Sequence, residues 1–275
     1  MRILFLGDVH VGSSHAVFPE HYVNPETGVE ITANKIQRKL LRRWYKLAEK
    51  HAPKDSPPDL LVLTGDLIDG PQRKQNYHTL LLQNIMDQID VFLKLFSETY
   101  HAKQIIVVRG TDYHATVEGV HAEEFIARKL PNVKRISRWS EERASQIDAR
   151  IYFKKERIKM HVKHQVGASK VPHYRFTPLA RDVWKLFMED VNFHISKGYN
   201  LIVRGHTHIY NIAGESNTFR AFITPAWQLP TDYAKSRGYY KADIGVVEVI
   251  IEKGDLTINE DLVTHEFSPH WVEWK

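Results

Sequence analysis

Short apolar runs, each followed by glycine or a polar residue, recur along the chain and predict its strands. The clearest covers residues 60–63, where Leu-Leu-Val-Leu shows no polar alternation before Thr64-Gly65-Asp66. An unbroken apolar run of this length is typical of a strand buried on both faces of a sheet. Similar runs at residues 2–6, 104–108 and 201–204 predict further strands of the same kind.

Helical periodicity separates these runs. Apolar residues spaced by three and four predict helices over residues 34–51, 76–100, 117–130 and 178–197. Asn34 is the predicted cap of the first helix. A strand followed by a helix, repeated along the chain, predicts a parallel sheet with right-handed crossovers.

Alternating apolar and polar positions mark the second half of the chain. They predict a hairpin over residues 146–162 and further strands over 219–224, 246–251 and 256–259. Residues 11–33 carry turn-forming residues instead and form a predicted loop, whose length is typical of functional or disordered segments.

Composition narrows the metal chemistry and the setting of the protein. The 275 residues include 16 histidines and no cysteine, so any metal site would use histidine and carboxylate.

The length favours one domain over residues 1–275. We expect a cytoplasmic protein without a membrane partner, because the run at 2–6 is too short for a secretory signal and no run reaches the length of a membrane span. The net charge of +5 suits an anionic partner such as nucleic acid without requiring one. Nothing in the pattern predicts an oligomeric state.

Candidate metal ligands stand at the ends of five predicted strands. They are Asp8 and His10, Asp66 and Asp69, Thr111 to His114, His164, and His206 and His208. Ligands in open α/β sheets bind beyond the carboxyl ends of the strands, so we expect these side chains to converge. Oxygen and imidazole donors without sulfur suit manganese, iron or zinc. A carboxylate shared by two such ions gives the spacing of roughly 3.5–4 Å found in two-metal hydrolases.

The motifs at these positions resemble those of the calcineurin-like metallophosphoesterase superfamily. Its D-x-H, G-D-x-x-D, His and G-H-x-H motifs match at residues 8–10, 65–69, 164 and 205–208, and the resemblance spans roughly residues 2–210. It implies an α/β fold, namely a metallophosphoesterase-type β-sandwich of two mixed sheets flanked by helices in αββα layers. The Gly-Thr-x-x-His at 110–114 and the segment at 224–229 are similar to a phage-type variant of the superfamily.

The resemblance also implies a dinuclear metal centre. By position, Asp8, His10 and His208 would hold one ion, His164 and His206 the other, and Asp66 would bridge the two. Asp69 would orient either a ligand or the catalytic histidine. Manganese is the expected metal, with iron, zinc and nickel as alternatives. The alternative for each histidine is a hydrogen-bonded core residue or a solvated one.

The third motif departs from the superfamily pattern, in which a metal-binding Asn stands next to a catalytic His. Here Gly110 is followed by Thr111-Asp112-Tyr113-His114, which leaves either Thr111 or Asp112 to replace the Asn. His114 is the predicted general acid that protonates the leaving oxygen or steadies the transferring phosphoryl group. At the fourth motif His161 competes with His164, but their odd separation in a strand predicts that they face opposite sides.

These features predict a metal-dependent phosphoester hydrolase in which a hydroxide bridging two ions attacks phosphorus in line. Gly70-Pro71 replaces the Asp-Arg-Gly of Ser/Thr protein phosphatases, which argues against that substrate. A phosphodiesterase acting on a nucleotide or nucleic acid is favoured, because cations and aromatic rings interleave over residues 227–241 and cations line one face of the helix at 34–51. Rings packed on the core and a solvated helix face are the alternatives for these two segments.

Two other functions fit the same motifs. A phosphomonoesterase would use the same centre, and a non-catalytic binding protein would keep the fold while its site decays. The altered third motif favours the binding protein, whereas Asp66 and the G-H-x-H at 205–208 oppose it.

Overall fold

The elements of the fold follow the predicted apolar runs. The computed structural model describes residues 1–71, 78–117, 120–133, 146–153, 156–169, 171–192, 199–216 and 218–263. Its strands are β1 (Arg2–Leu6), β2 (His21–Val23), β3 (Glu30–Thr32), β4 (Leu60–Leu63), β5 (Ile105–Val107), β6 (Thr116–Val117), β7 (Val120–His121), β8 (Gln146–Phe153), β9 (Glu156–Lys163), β10 (Leu201–Arg204), β11 (Asn211–Ser216), β12 (Phe219–Ile223), β13 (Ile244–Glu252) and β14 (Asp255–Val263). Its helices are α1 (Lys35–His51), α2 (Ile85–Thr99), α3 (Asp112–Ala115), α4 (Ala122–Lys129), α5 (Thr177–Asn192) and α6 (Asp232–Ser236).

The long strands form two mixed sheets. The first sheet has the order β14-β13-β1-β4-β5, in which β1, β4 and β5 are parallel and β13 and β14 antiparallel. The second has the order β11-β12-β10-β9-β8, in which β12, β10 and β9 are parallel and the two outer strands antiparallel. The predicted α/β fold with two mixed sheets is confirmed.

Side-chain alternation along β1 shows how the layers are held together. Ile3 and Phe5 belong to the core between the two sheets, where the ring of Phe5 meets that of Phe222 edge to face at 5.2 Å. Leu4 and Leu6 point the other way, into the core that the first sheet shares with α1, α2 and α4. A smaller cluster packs α5 onto the second sheet. The result is the αββα layering that the resemblance implies.

The parallel strands end together, which positions the site. Leu6 pairs with Leu63 and Leu63 with Val107, so the loops after β1, β4 and β5 leave the first sheet side by side. The loops after β9 and β10 leave the second sheet in the same way, because the Gly205 N–H donates to the His164 carbonyl at 2.9 Å. The hydroxyls of Thr64 and Thr224, 3.1 Å apart, join the two sheets at this edge.

Helix starts are where the predictions and the structure differ most. Asn34 caps α1 as predicted, with its side chain accepting from the Gln37 N–H. The prediction for the next helix, 76–100, is wrong at its start, because α2 begins at Ile85 behind the cap Asn84. The apolar residues at 80–82 belong to a loop instead, in which the Leu81 N–H donates to the Gly12 carbonyl at 2.7 Å. Residues 72–77 lie outside the described residues.

The other differences are smaller. The helix predicted over 117–130 begins at Ala122, because the β6–β7 hairpin precedes it. The predicted loop at 11–33 contains the β2–β3 hairpin, and the predicted end of the helix at 178–197 lies partly outside the described residues. None of the described helices is both long and apolar enough to cross a bilayer.

Candidate metal centre

Left-handed backbone conformations concentrate at the strand ends. The predicted ligands Asp8, His10, Asp66, His206 and His208 have φ angles of 48°, 50°, 47°, 76° and 58°. Among the described non-glycine residues only Asn132 and Lys253 share this region, and Lys253 lies in the turn between β13 and β14. Such conformations cost on the order of 1–3 kcal/mol each and cluster where function requires a particular side-chain direction.

The first cluster joins the loops after β1 and β10. Asp8 and His10 are almost completely buried, and His208 approaches them from the second sheet. The Nε2 atoms of His10 and His208 are 3.1 Å apart, and His208 Nε2 is 3.3 Å from Asp8 Oδ1. These three side chains offer one oxygen and two nitrogens within 4.8 Å of one another.

The second cluster joins the loops after β4, β9 and β10. His164 Nε2 lies 3.0 Å from Asp66 Oδ2, and His206 completes a group within 4.8 Å. Asp66 Oδ2 is also 4.0 Å from His10 Nε2 in the first cluster. Asp66 therefore lies between the clusters, where a shared carboxylate is expected.

The close packing of these loops depends on glycine. A Cβ at Gly205 would lie 2.9 Å from Asp8 Oδ2 and 3.0 Å from His164 Nδ1, and a Cβ at Gly110 would overlap Asp66 Oδ1. The glycines that precede the ligands in the second sheet and the third motif thus allow the two sheets to share one centre.

Hydrogen bonds behind the clusters fix which ring nitrogens face inward. His10 Nδ1 donates to Asp69 Oδ1 at 3.1 Å, and His164 Nδ1 donates to the Thr64 carbonyl at 2.8 Å. A carboxylate or carbonyl oxygen only accepts, so in the neutral rings Nε2 carries a lone pair towards the cluster. Gln228 Nε2 also donates to Asp69 Oδ1, at 3.0 Å. The same oxygen lies 3.9 Å from His114 Nδ1, so Asp69 contacts both residues that it was predicted to orient, a ligand and the catalytic histidine.

The donor set fits a bound cation. His164 Nε2 is buried, and the Asp66 carboxylate, 3.0 Å away, is its ion-pair partner. Burial by itself would lower the pKa of His164, but the charges of Asp66 and Asp8 raise it to about 10. Burial and the charge of His164 lower the pKa of His206 to about 4. The carboxylates of Asp66 and Asp8 thus attract positive charge into this buried space, either as a proton on His164 or as a bound cation that takes the place of that proton.

The third motif lies against the second cluster. The Thr111 N–H donates to Asp66 Oδ1 at 2.6 Å, and its hydroxyl donates to the same oxygen at 3.0 Å. The exposed side chain of Asp112 instead accepts from His121 Nε2 at 2.9 Å. Of the two predicted replacements for the Asn, the structure places Thr111 at the centre and directs Asp112 away from it.

His114 lies beside the first cluster. Its Nδ1 donates to the Asp69 carbonyl at 2.7 Å, and its ring meets that of His10 edge to face with centroids 4.7 Å apart. His161, in contrast, is bound by Arg204 Nη1 at 3.0 Å and is absent from both clusters. The opposite orientation predicted for His161 and His164 is what the structure shows.

Two contributors were missed by reasoning from the motifs. Gln228 is buried against Asp69, and the Trp227 N–H donates to the Asp8 carbonyl at 2.9 Å. Both residues follow β12, a further parallel strand whose end reaches the same edge. The rule that polar residues at strand ends converge would have found Gln228 had it been applied to this strand.

A cleft of about 500 Å³ opens beside the clusters. Its lining includes Thr111, His114, residues of the 230–242 segment around α6 and four of the metal-ligand candidates, namely His10, Asp66, His206 and His208. These four side chains are therefore reachable from a space large enough for a small organic ligand, whereas Asp8 and His164 are buried behind them.

A family model and solved structures were compared with the chain. The model of the family described as calcineurin-like phosphoesterase matches residues 1–210. Similar solved structures include wild-type Vps29 complexed with Zn²⁺ from Entamoeba histolytica, with 13% identity, a TM-score of 0.44 and coverage of 96% of this chain and 99% of that chain. A metallophosphoesterase from Sphaerobacter thermophilus shows 15% identity, a TM-score of 0.36 and coverage of 95% and 88%. No match was found among curated proteins. Both TM-scores are below 0.5, so the assignment depends on the family model.

Proposed function

The chain belongs to the calcineurin-like phosphoesterase family, and from that premise we propose that it is a phosphoester hydrolase that uses two divalent metal ions. The proposed substrate is a phosphodiester of a nucleotide or nucleic acid. The observation that carries the proposal is the convergence of two histidine–carboxylate groups, Asp8 with His10 and His208, and Asp66 with His164 and His206.

In the proposed centre each group would hold one ion, and Asp66 would serve as a ligand to both. Manganese is the proposed ion, with iron, zinc and nickel as alternatives, because the donors are carboxylate oxygens and imidazole nitrogens. When bound, the ions would activate a water molecule for attack on phosphorus and neutralise the phosphoryl oxygens.

The remaining residues of the site hold these donors in position. Asp69 and Gln228 fix the ring of His10, and Thr111 fixes the carboxylate of Asp66 through two hydrogen bonds. Preset donors reduce the rearrangement needed when a cation enters.

His114 is the residue we propose as the general acid. Its Nδ1–H is engaged by the Asp69 carbonyl, so Nε2 is the nitrogen left to carry a second proton. The side chain lines the cleft next to His10 and is 20% exposed. It is thus placed to give its Nε2 proton to the leaving oxygen of a substrate in the cleft.

The shape of the cleft favours a diester over a monoester. A phosphodiester carries an organic group on both sides of phosphorus, and the cleft lining includes residues 230–242 besides the clusters, which would leave room for the further group. A phosphomonoesterase is the second candidate. A non-catalytic binding protein is the third, favoured by the engagement of the Thr111 hydroxyl with Asp66 where the superfamily has an Asn.

Hydrolysis of 4-nitrophenyl phosphate and bis(4-nitrophenyl) phosphate, measured side by side with and without Mn²⁺, tests the proposal. We expect Mn²⁺-dependent release of nitrophenol that is faster with the diester. Faster hydrolysis of the monoester would favour the phosphomonoesterase. The metal content of the same samples separates the third candidate, since a protein that binds two ions yet hydrolyses neither compound would contradict the proposed enzyme.

A further inference from the structure

The far wall of the cleft carries aromatic rings and cations at once. It is formed by the segment at 230–242 and includes Tyr233, Arg237, Tyr239 and Lys241. These residues belong to none of the metal motifs. They line the same cleft of about 500 Å³ as His10, Asp66, His206 and His208, so a substrate that binds at the clusters and fills the cleft would contact this wall.

One ring of the wall is presented to solvent, whereas Tyr239 is half-buried. Tyr233 is 52% exposed although it lines the cleft. Tyr113, beside His114 with ring centroids 5.1 Å apart, contributes another ring on the metal side. Exposed aromatic rings inside a groove are the surfaces on which unpaired bases stack. The alternative considered from the sequence, rings of this segment packed on the core, does not describe Tyr233.

Two cations of the wall, Arg237 and Lys241, have no carboxylate partner among the residues that the structure describes. Lys235, on the same short helix, pairs with Asp232 at 3.1 Å. Within the described part of the chain, Arg237 and Lys241 form no ion pair with a carboxylate, and the Arg237 guanidinium lies 5.4 Å from the centroid of the Tyr233 ring. Charge left available next to an exposed ring suits a ligand that combines a base with a phosphate.

The wall is tied to the metal centre at both ends of its segment. The Trp227 N–H donates to the Asp8 carbonyl at 2.9 Å, and the Asp243 N–H donates to the His208 carbonyl at 2.8 Å. The Ala226 N–H donates to the Asp243 carbonyl at 2.8 Å and closes the base of the segment. The backbone at both ends of the segment is therefore anchored next to the candidate ligands Asp8 and His208.

We propose that Tyr233, Arg237, Tyr239 and Lys241 form a subsite for the nucleotide next to the scissile phosphodiester, and that the substrate is a single-stranded polynucleotide. The inference rests on the proposed function. The tyrosine rings stack the flanking base and the two cations bind the flanking phosphate, which requires a base that is not stacked in a duplex. Water then adds across one P–O bond: its oxygen bonds to phosphorus, the bond to the leaving oxygen breaks, that oxygen takes a proton, and a phosphomonoester end remains.

The test compares a 12-residue single-stranded oligonucleotide with methyl 4-nitrophenyl phosphate, which has neither a flanking base nor a flanking phosphate. We expect Tyr233→Ala to lower kcat/KM for the oligonucleotide by about tenfold relative to the small diester, the usual cost of losing a base-stacking ring. The double variant Arg237→Ala/Lys241→Ala should lower kcat/KM for the oligonucleotide further and weaken the dependence of this kcat/KM on salt concentration. Lys235→Ala is the matched control, expected to change either rate by less than about twofold because an exposed ion pair contributes little.

Binding of a labelled oligonucleotide, followed by fluorescence anisotropy in Mn²⁺, gives a second readout that does not depend on turnover. Equal kcat/KM and equal binding in wild type and the variants would overturn the subsite, while Mn²⁺-dependent hydrolysis of the small diester would still support the proposed function. Loss of oligonucleotide binding in Tyr233→Ala without hydrolysis of any diester by wild type would support the subsite and overturn the proposed enzyme. A preference for duplex over single strand would overturn the single-stranded substrate.

Discussion

The metal centre and the outer edge of the first sheet both place carboxylates next to histidines, and they compensate those charges in different ways. At the outer edge an ion-pair cluster joins α1 to β1, β13 and β14; it consists of Arg2, Arg43, Lys50, His51, Glu248 and Asp261. Asp261 is bound by Arg43 and, at 2.8 Å, by Lys50, and Glu248 is bound by Arg2 at 2.8 Å. Permanent cations of the chain therefore neutralise both carboxylates.

The metal centre contains no such cations. In the described part of the chain, Asp8 and Asp66 form ion pairs only with histidines, which are neutral at pH 7 unless their pKa is raised. The pKa of His164 rises to about 10 despite burial, because Asp66 and Asp8 draw a proton onto it. Arg and Lys neutralise the ion-pair cluster as folded. In the candidate metal centre the neutralising charge is a proton on His164, which an external cation would replace.

The two regions also differ in their backbone. The left-handed conformations found at Asp8, His10, Asp66, His206 and His208 do not occur in the residues of the ion-pair cluster. Strained backbone where charge is uncompensated is typical of a functional site, and relaxed backbone where charge is paired is typical of a structural one.

The largest contrast is expected from matched carboxylate substitutions. Asp66→Asn removes the carboxylate between the clusters and should lower kcat by more than about a hundredfold, the upper end for residues that only orient a ligand. Asp261→Asn should leave kcat within about twofold, because the ion-pair cluster acts on stability alone. Turnover of the preferred diester and metal content are measured together. Wild-type turnover in Asp66→Asn with a full complement of metal would contradict the proposed centre.

A smaller loss of activity is expected from substitutions of Asp69 and Gln228, which hold a candidate ligand in position. Asp69→Asn weakens the hold on His10 and should lower metal affinity or activity by about 10- to 100-fold. Gln228→Ala removes one donor to the same oxygen and should cost about 1 kcal/mol, or roughly fivefold. Titration of Mn²⁺ into each metal-free variant checks both values. If Gln228→Ala proved more damaging than Asp69→Asn, Gln228 would have to act on the substrate rather than through Asp69.

Metal addition should stabilise the folded state. Ions at about 100 times their dissociation constant add roughly 2.7 kcal/mol per site to the free energy of unfolding, which raises Tm by several degrees. Asp261→Asn should show the same increase as wild type, and Asp66→Asn a smaller one. Thermal unfolding with and without Mn²⁺ measures this increase in Tm. An equal increase in wild type, Asp66→Asn and Asp261→Asn would show that the ion binds away from Asp66.

The smallest effect concerns acid stability of the ion-pair cluster. Burial alone would raise the pKa of Asp261, but its hydrogen bonds to Lys50 and His51 and the charge of Arg43 lower it to about 2. A lowered carboxyl pKa adds stability above its ordinary value near 3.8, and that stability is lost as the pH falls through about 2. Solvent screening limits it to about 1 kcal/mol. Urea unfolding between pH 5 and 2.5 should therefore show a weaker pH dependence in Asp261→Asn than in wild type, and identical profiles would contradict the assignment.

The convergence of the candidate metal ligands could be predicted from the sequence because parallel strands end together. The ligands at Asp8, Asp66 and His206 follow apolar runs that are readable as buried strands, and strand ends in one sheet meet at one edge. The parallel order of the strands followed from the same runs, and the αββα layering followed from the motif resemblance. The single domain over residues 1–275 and the phage-type third motif stay predictions.

Contacts between loops were not readable in this way. That Thr111 holds Asp66, or that Gln228 reaches Asp69, depends on how two loops distant in sequence lie against each other. The start of α2 was misplaced because apolar residues at helical spacing also fit a loop that packs on the core, and only the cap at Asn84 distinguishes the two.

The most direct test of the central claim is anomalous diffraction from crystals of the protein grown with Mn²⁺. Two anomalous peaks are expected roughly 3.5–4 Å apart. One should lie between Asp8, His10 and His208 and the other between His164 and His206, with Asp66 in contact with both. A single peak, or peaks away from these side chains, would contradict the dinuclear centre.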